Sequence, residues 1–203
     1  LPANIAAAGE RLSALPAWFD LHIETADVFD FCTRADEAAK YDLVVAHAFL
    51  DLLDIPTALP QLRPLLRPGG IFYFTINFDG ATILEPTIDS ALDARIEAAY
   101  HRTMDERITN GHPSGDSRTG RHLFRNLAQA GFHVLAAGSS DWVVFPVNGR
   151  YLADEAFFLH FIVHTMHGAL RNYPAVAGED FERWIAARHA QIAPFIAKLP
   201  QGY

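Results

Sequence analysis

Tyr41-Asp-Leu-Val-Val-Ala46 is an apolar run that breaks at His47-Ala-Phe-Leu-Asp51, and Ile71-Phe-Tyr-Phe-Thr-Ile76 is a second that leads into Asn77-Phe-Asp-Gly80. Between them lie an amphipathic segment through Leu62, Leu65 and Leu66 and the turn Arg67-Pro-Gly-Gly70. The order is strand, helix, glycine turn, strand. Near-continuous β-rich apolar runs separated by a helical pattern mark a crossover unit of a parallel sheet, whose strands are covered on both faces. In open parallel sheets the ligand crevice lies beyond the carboxyl ends of the strands, so chemistry is expected at His47–Asp51 and Asn77–Gly80.

Outward from this unit, the pattern predicts a helix over Asn4–Leu15, a strand over Leu21–Ala26 and a short helix over Arg34–Lys40. Strand Asp42–Ala46, helix Ile55–Leu66 and strand Ile71–Asn77 form the central unit; Pro56 and Pro60 fall in the first turns of its helix, where proline is tolerated. Ile88, Leu92, Ile96, Tyr100 and Met104 recur every four residues and predict a long helix over Asp89–Thr109. Asn110–Ser117 is a loop by composition. Thr119 is placed to cap a helix that Gly131 stops. Phe132–Ala137 and Trp142–Phe145 predict an antiparallel hairpin, and Asp154–Leu199 is helical with a break at Asn172–Gly178. The architecture expected is a three-layer α/β sandwich with a mostly parallel sheet and an antiparallel C-terminal hairpin over residues 1–146, with a helical extension over 147–203.

The runs "YDLVVAHAFLDLL" and "LRPLLRPGGIFYFTI" resemble the fourth and fifth strands of class I S-adenosylmethionine-dependent methyltransferases, and Leu66–Gly70 is similar to the turn before the fifth strand in that family. Asn4–Leu15 resembles the helix after the family's second strand, Leu21–Phe31 its third strand, and Gly120–Leu135 its last helix and sixth strand. The likeness covers roughly residues 3 to 146. The family's glycine-rich loop and the acidic residue ending its second strand have no counterpart, so the chain is expected to be the C-terminal portion of a larger polypeptide, with a Rossmann-like methyltransferase fold truncated at its N-terminus. The resemblance implies methyl transfer from S-adenosyl-L-methionine to a small-molecule acceptor. The alternative is a non-catalytic, methyltransferase-like binding or interaction module. A doubly wound nucleotide-dependent oxidoreductase is weaker.

Composition narrows the classes further. The 203 residues are half hydrophobic, enough for one core, and the net charge is −8. Lys and Arg form no stripe interleaved with aromatics, which argues against general nucleic-acid binding. A lone cysteine, Cys32, excludes an intrachain disulfide framework and suits a reducing, cytoplasmic setting. Its plainest role is that of a small buried hydrophobe. The apolar runs break within about ten residues, short of the roughly 20 that a membrane helix needs.

By the resemblance, Asp27 and the backbone N–H of Val28 meet the adenine edge, which requires an acceptor and a donor side by side. Ala46, His47 and Leu50 fall at the family's position beside the cofactor's methionine and adenine portions. His47 and His101 are the candidates for a base, a role needed only if the acceptor loses a proton. Tyr100 and His101 are adjacent on the long helix, about 100° apart, so one of the two faces a pocket. His101 and Asp105 are spaced to pair. Asp141-Trp142 offers a carboxylate beside a flat aromatic, suited to a cationic or ring-bearing acceptor, or else a hairpin turn with a core Trp. His160, His164 and His167 share one helical face, but the outer two are about 10 Å apart along the axis, too far for one zinc ion to bridge; no metal is expected. Phe181–Phe195, with Trp184, Ile185 and Ile192, reads first as packing against the domain and otherwise as the helix of a homodimer.

Overall fold

The computed structural model describes residues 7, 9, 12, 15, 16, 18–109 and 111–196. The expected helix Asn4–Leu15 lies largely outside the described residues. The remainder is a mixed α/β arrangement: a two-stranded parallel sheet, a small antiparallel pair and several helices. It divides into two compact units, residues 1–46 with 56–74, and residues 47–55 with 75–203.

The first unit holds the strands and helix of the crossover, all but their boundary residues His47, Ile55 and Thr75. Strand β1 is Tyr41–His47, helix α2 is Ile55–Leu62, and strand β2 is Leu66–Thr75. Helix α1, Val28–Cys32, precedes them, capped by Asp27, whose carboxylate accepts from the Phe29 and Asp30 N–H groups. The bonds Lys40 N–H to Leu65 O and Ala48 N–H to Thr75 O advance together along β1 and β2, as parallel strands require. Ala58, Leu59, Leu62 and Leu65 are buried, so the amphipathic stripe does the packing assigned to it. Pro64 and the 3₁₀ turn Arg63–Leu65 end α2 earlier than the expected Leu66. Arg67-Pro-Gly-Gly70 is not a turn ahead of the strand but the opening of β2. Gly69 takes φ 82°, and a Cβ on Gly70 would meet Tyr41 O at 2.9 Å, so the paired strand presses directly on the glycine backbone.

Three predicted strands are corrected. Leu21–Ala26, Phe132–Ala137 and Trp142–Phe145 form no regular element and join no ladder among the described residues. Leu135, Trp142 and Val143 are all more than two-thirds exposed. A strand is defined by its neighbour's hydrogen bonds, and apolar alternation alone supplies none. The reversal in that region is instead the two-residue turn Asn148-Gly149, both residues at positive φ, closed by reciprocal bonds between Val147 and Arg150. Arg34–Lys40 likewise shortens to the single 3₁₀ turn Ala35–Glu37.

The second unit is helical. Helix α3, Ser90–Asp105, starts at the cap Asp89, whose carboxylate accepts the Leu92 N–H. It ends four residues before the expected Thr109, because Ile108–Thr109 (β3) pairs antiparallel with His112–Pro113 (β4) around Gly111 at φ 81°. Helix α4 is Thr119–Gln129, and Gly131 at φ 77° stops it as expected. Thr119 is its first residue rather than its cap, and its hydroxyl donates to Asp116 O. Helices α5, Glu155–Leu170, and α6, Glu179–Ile196, pack on each other and on α3 around Ile96, Val163, Met166, Leu170, Phe181 and Trp184. The expected packing role therefore holds for Phe181 and Trp184. No helix among the described residues is long and apolar enough to cross a membrane.

Candidate functional site

The carboxyl ends of β1 and β2 place a group of polar and aromatic side chains together within the second unit. β1 ends at His47, and Ala48 turns sharply out of it at φ 50°, its N–H held by Thr75 O at 2.8 Å. Such a backbone is costly for a non-glycine residue and persists where its surroundings enforce it. One bond up, His47 Nδ1 lies 2.8 Å from Thr75 Oγ1. The imidazole is thereby oriented while remaining exposed. Leu50 follows in a 3₁₀ turn and is wholly buried.

After β2 the chain passes through Asn77-Phe-Asp-Gly80. Phe78 sets its ring 5.2 Å from that of His101 on α3. The Asp79 carboxylate accepts from the Arg121 N–H and Nε, and its carbonyl from Arg121 Nη2 at 2.8 Å, tying this loop to α4. A Cβ on Gly120 would stand 2.9 Å from Asp79 Cγ, so the small residue admits the carboxylate. This clamp was not anticipated from the sequence; Asp79-Gly80 directly after a strand was its available signal.

His101 is mostly buried, its side chain 17% exposed. Its Nε2 has no hydrogen-bond partner, and Glu97 Oε1 at 3.9 Å is too distant to serve as one. Glu97 instead accepts the Thr82 N–H. The expected pairing of His101 with Asp105 does not form, because Asp105 takes the N–H and hydroxyl of Ser117. Of the two neighbours on α3, Tyr100 turns toward the helical core; burial raises its phenol above the usual value, against the opposing charge of Arg107. His101 is the one that faces the strand-end loop.

The other candidates make contacts of their own. In the first unit, Asp27 is the cap of α1, half-buried Val28 is the first residue of that helix, and Ala46 is half-buried in β1. Asp141 and Trp142 are exposed, and Trp142 rests on Phe158 with ring centroids 4.2 Å apart. Trp142 is therefore not a core residue. The three histidines of α5 do not converge: His160 Nδ1 meets His189 Nδ1 at 2.7 Å, His167 Nε2 meets Glu182 Oε1 at 3.1 Å, and His164 is exposed. Among the described residues no cluster of three or more His, Cys, Asp or Glu side chains is arranged to hold a metal ion.

Comparison with known proteins finds no matching family model, no matching curated protein and no matching solved structure.

Proposed function

We propose that the chain belongs to a cytoplasmic S-adenosylmethionine-dependent methyltransferase of Rossmann-like, three-layer fold that acts on a small molecule. The observation that carries this reading is the parallel β1–α2–β2 crossover, with His47 held by Thr75 and His101 beside Phe78 just beyond its strand ends. That is where open parallel sheets take their ligands. The resemblance of these two strands to the family's fourth and fifth supplies the cofactor class.

The residues present fit that cofactor. Asp27 commits one carboxylate oxygen to capping α1, and Val28 stands in the first turn, whose N–H groups find no acceptor inside the helix. An acid beside such an N–H is the pairing that an adenine edge requires. When bound, the cofactor supplies an electrophilic methyl group on a sulfonium, so positioning the acceptor contributes much of the acceleration. His101 Nε2, buried without a partner, is the group poised to accept a proton from an acceptor hydroxyl.

Calorimetric titration of the full-length protein with S-adenosylhomocysteine tests the reading. Saturable binding is expected, and it weakens in Asp27→Asn, which keeps a good helix cap but loses the carboxylate. Absence of binding at millimolar concentration overturns the proposal.

A further inference from the structure

Helix α5 carries two seams of three-four spacing, and the fold uses one. Ala156, Leu159, Val163, Met166 and Leu170 recur at alternating spacings of three and four and face α3 and α6. Asp154, Phe157, Phe161, His164, Gly168 and Arg171 recur at the same alternation on the nearly opposite face. All six are exposed, Phe157 by 71% and Phe161 by 54%. The three-four alternation is the seam by which one helix packs lengthwise on another. Its two phenylalanines stand as large apolar side chains in solvent between the charged ends of the seam.

We propose that this outer seam pairs with the same seam of a second copy, the two α5 helices running antiparallel about a two-fold axis. Laid antiparallel, Phe157 faces Gly168 of the second copy, Phe161 faces its His164, and Asp154 faces its Arg171. All three pairings share one centre, between Ile162 and Val163, so a single axis satisfies them together; that is the condition for a self-complementary interface. Each layer is complementary. A Cβ on Gly168 would meet nothing within 4 Å, which leaves room for a phenyl ring. Phe161 and His164 offer ring against ring. Asp154 and Arg171 place opposite charges at both ends of the seam, and neither has an ion-pair partner among the described residues.

The area is adequate as well. Trp142 lies on Phe158, beside the seam, and is 68% exposed; Leu152, joined to Glu155 at the start of α5, is 60% exposed. With about 150–250 Å² per aromatic side chain, these two and the seam phenylalanines present roughly 500 Å² of apolar surface per copy. A standard interface takes about 800 Å² per partner, a little over half of it non-polar. The two figures agree. The inference does not depend on the methyltransferase reading.

Sedimentation of the full-length protein across the micromolar range tests it. A reversible dimer is expected, and Phe161→Glu weakens it at least a hundredfold by placing a charge at the centre of the seam. Asp154→Arg alone weakens it about tenfold, through two lost pairs and the repulsion that replaces them, and Asp154→Arg with Arg171→Asp restores it. Because these positions are exposed, the variants keep the wild-type circular dichroism spectrum. A protein that stays monomeric at high micromolar concentration overturns the proposal. So does a dimer indifferent to Phe161→Glu, or a double charge reversal that fails to restore pairing.

Discussion

Replacing Asp93 with alanine removes the hub of a buried ion pair in the helical unit. Asp93 sits in the first turn of α3. Its Oδ1 accepts from Trp184 Nε1 at 2.5 Å and from Arg188 Nη2 at 2.9 Å, and its Oδ2 accepts the Ile88 N–H at 3.0 Å. Arg188 is 4% exposed and lies 5.0 Å over the Trp184 ring. Its other bonds go to Pro86 O and Gln191, and its Nε has no partner. Without Asp93 the guanidinium stays buried with its charge unmatched. Breaking a buried pair in this way costs about 3–5 kcal/mol, far more than the pair adds over an apolar replacement. For a chain of this size that lowers Tm by about 10 °C. Trp184 is the buried tryptophan, against Trp18 and Trp142 at 82% and 68% exposure, so the blue edge of the emission spectrum during urea unfolding reports on this site. Adding Arg188→Met to Asp93→Ala removes the stranded charge and should recover part of the loss, giving a non-additive cycle. A destabilisation by Asp93→Ala below about 1 kcal/mol, or strict additivity with Arg188→Met, would mean that the Arg188 charge is not stranded by the loss of Asp93. The pH dependence has a fixed sign. Burial pushes the Asp93 carboxyl up, but the bonds from Trp184, Ile88 and Arg188, with the Arg188 charge, outweigh it and hold it below its ordinary value. The stabilisation is therefore complete above about pH 4 and is lost as pH falls through the lowered value.

Three further outcomes follow from local surroundings. Gly70→Ala drives a Cβ to within 2.9 Å of Tyr41 O and 3.0 Å of Arg67 O, both backbone atoms that cannot swing aside, so it should cost about 1–3 kcal/mol in urea unfolding. At Gly111, where a Cβ has open space but φ is positive, the alanine variant should lose less than Gly70→Ala does. His189 is held below its ordinary value by burial first and then by His160, His164 and His167 on α5. The unfolded chain thus takes up a proton before the folded one does. Stability is full above about pH 6.5 and declines as pH falls toward the lowered folded value, so thermal unfolding should show a lower Tm at pH 5 than at pH 7.5, and His189→Gln should flatten that slope.

The crossover unit was legible because its signals are redundant. The runs at Tyr41 and Ile71 are too short for helices and too β-branched and aromatic to be loops, and the leucines between them can bury only one side of a helix. Gly131 as the stop of α4 was legible for a comparable reason, since few residues other than glycine adopt its φ of 77° cheaply. The orientation of His101 was not. On a helix, a carboxylate four residues away is near enough to pair, and what kept Asp105 from His101 was Ser117, whose N–H and hydroxyl claim Asp105 from twelve residues away. A pattern confined to one helix holds no trace of that competitor.

The unpaired strands show where this kind of reading stops. Within β1, Leu43 and Val45 stand about half exposed while Val44 and Ala46 turn inward; in β2, Ile71 and Tyr73 are exposed while Phe72 and Phe74 stack at 4.9 Å. Both faces of both strands are apolar, so alternation cannot say which one the core occupies. The same residue types at Val134, Leu135 and Val143 have no neighbouring strand among the described residues and remain exposed. Apolar pattern therefore states a demand for cover, and pairing states whether it is met. The outer seam of α5 differs from these segments in one respect. Its charges, its small residue and its rings are ordered so that the helix itself, reversed, meets the demand. That ordering is a stronger reason to expect a partner than exposure is, because exposure alone would be satisfied by any apolar surface.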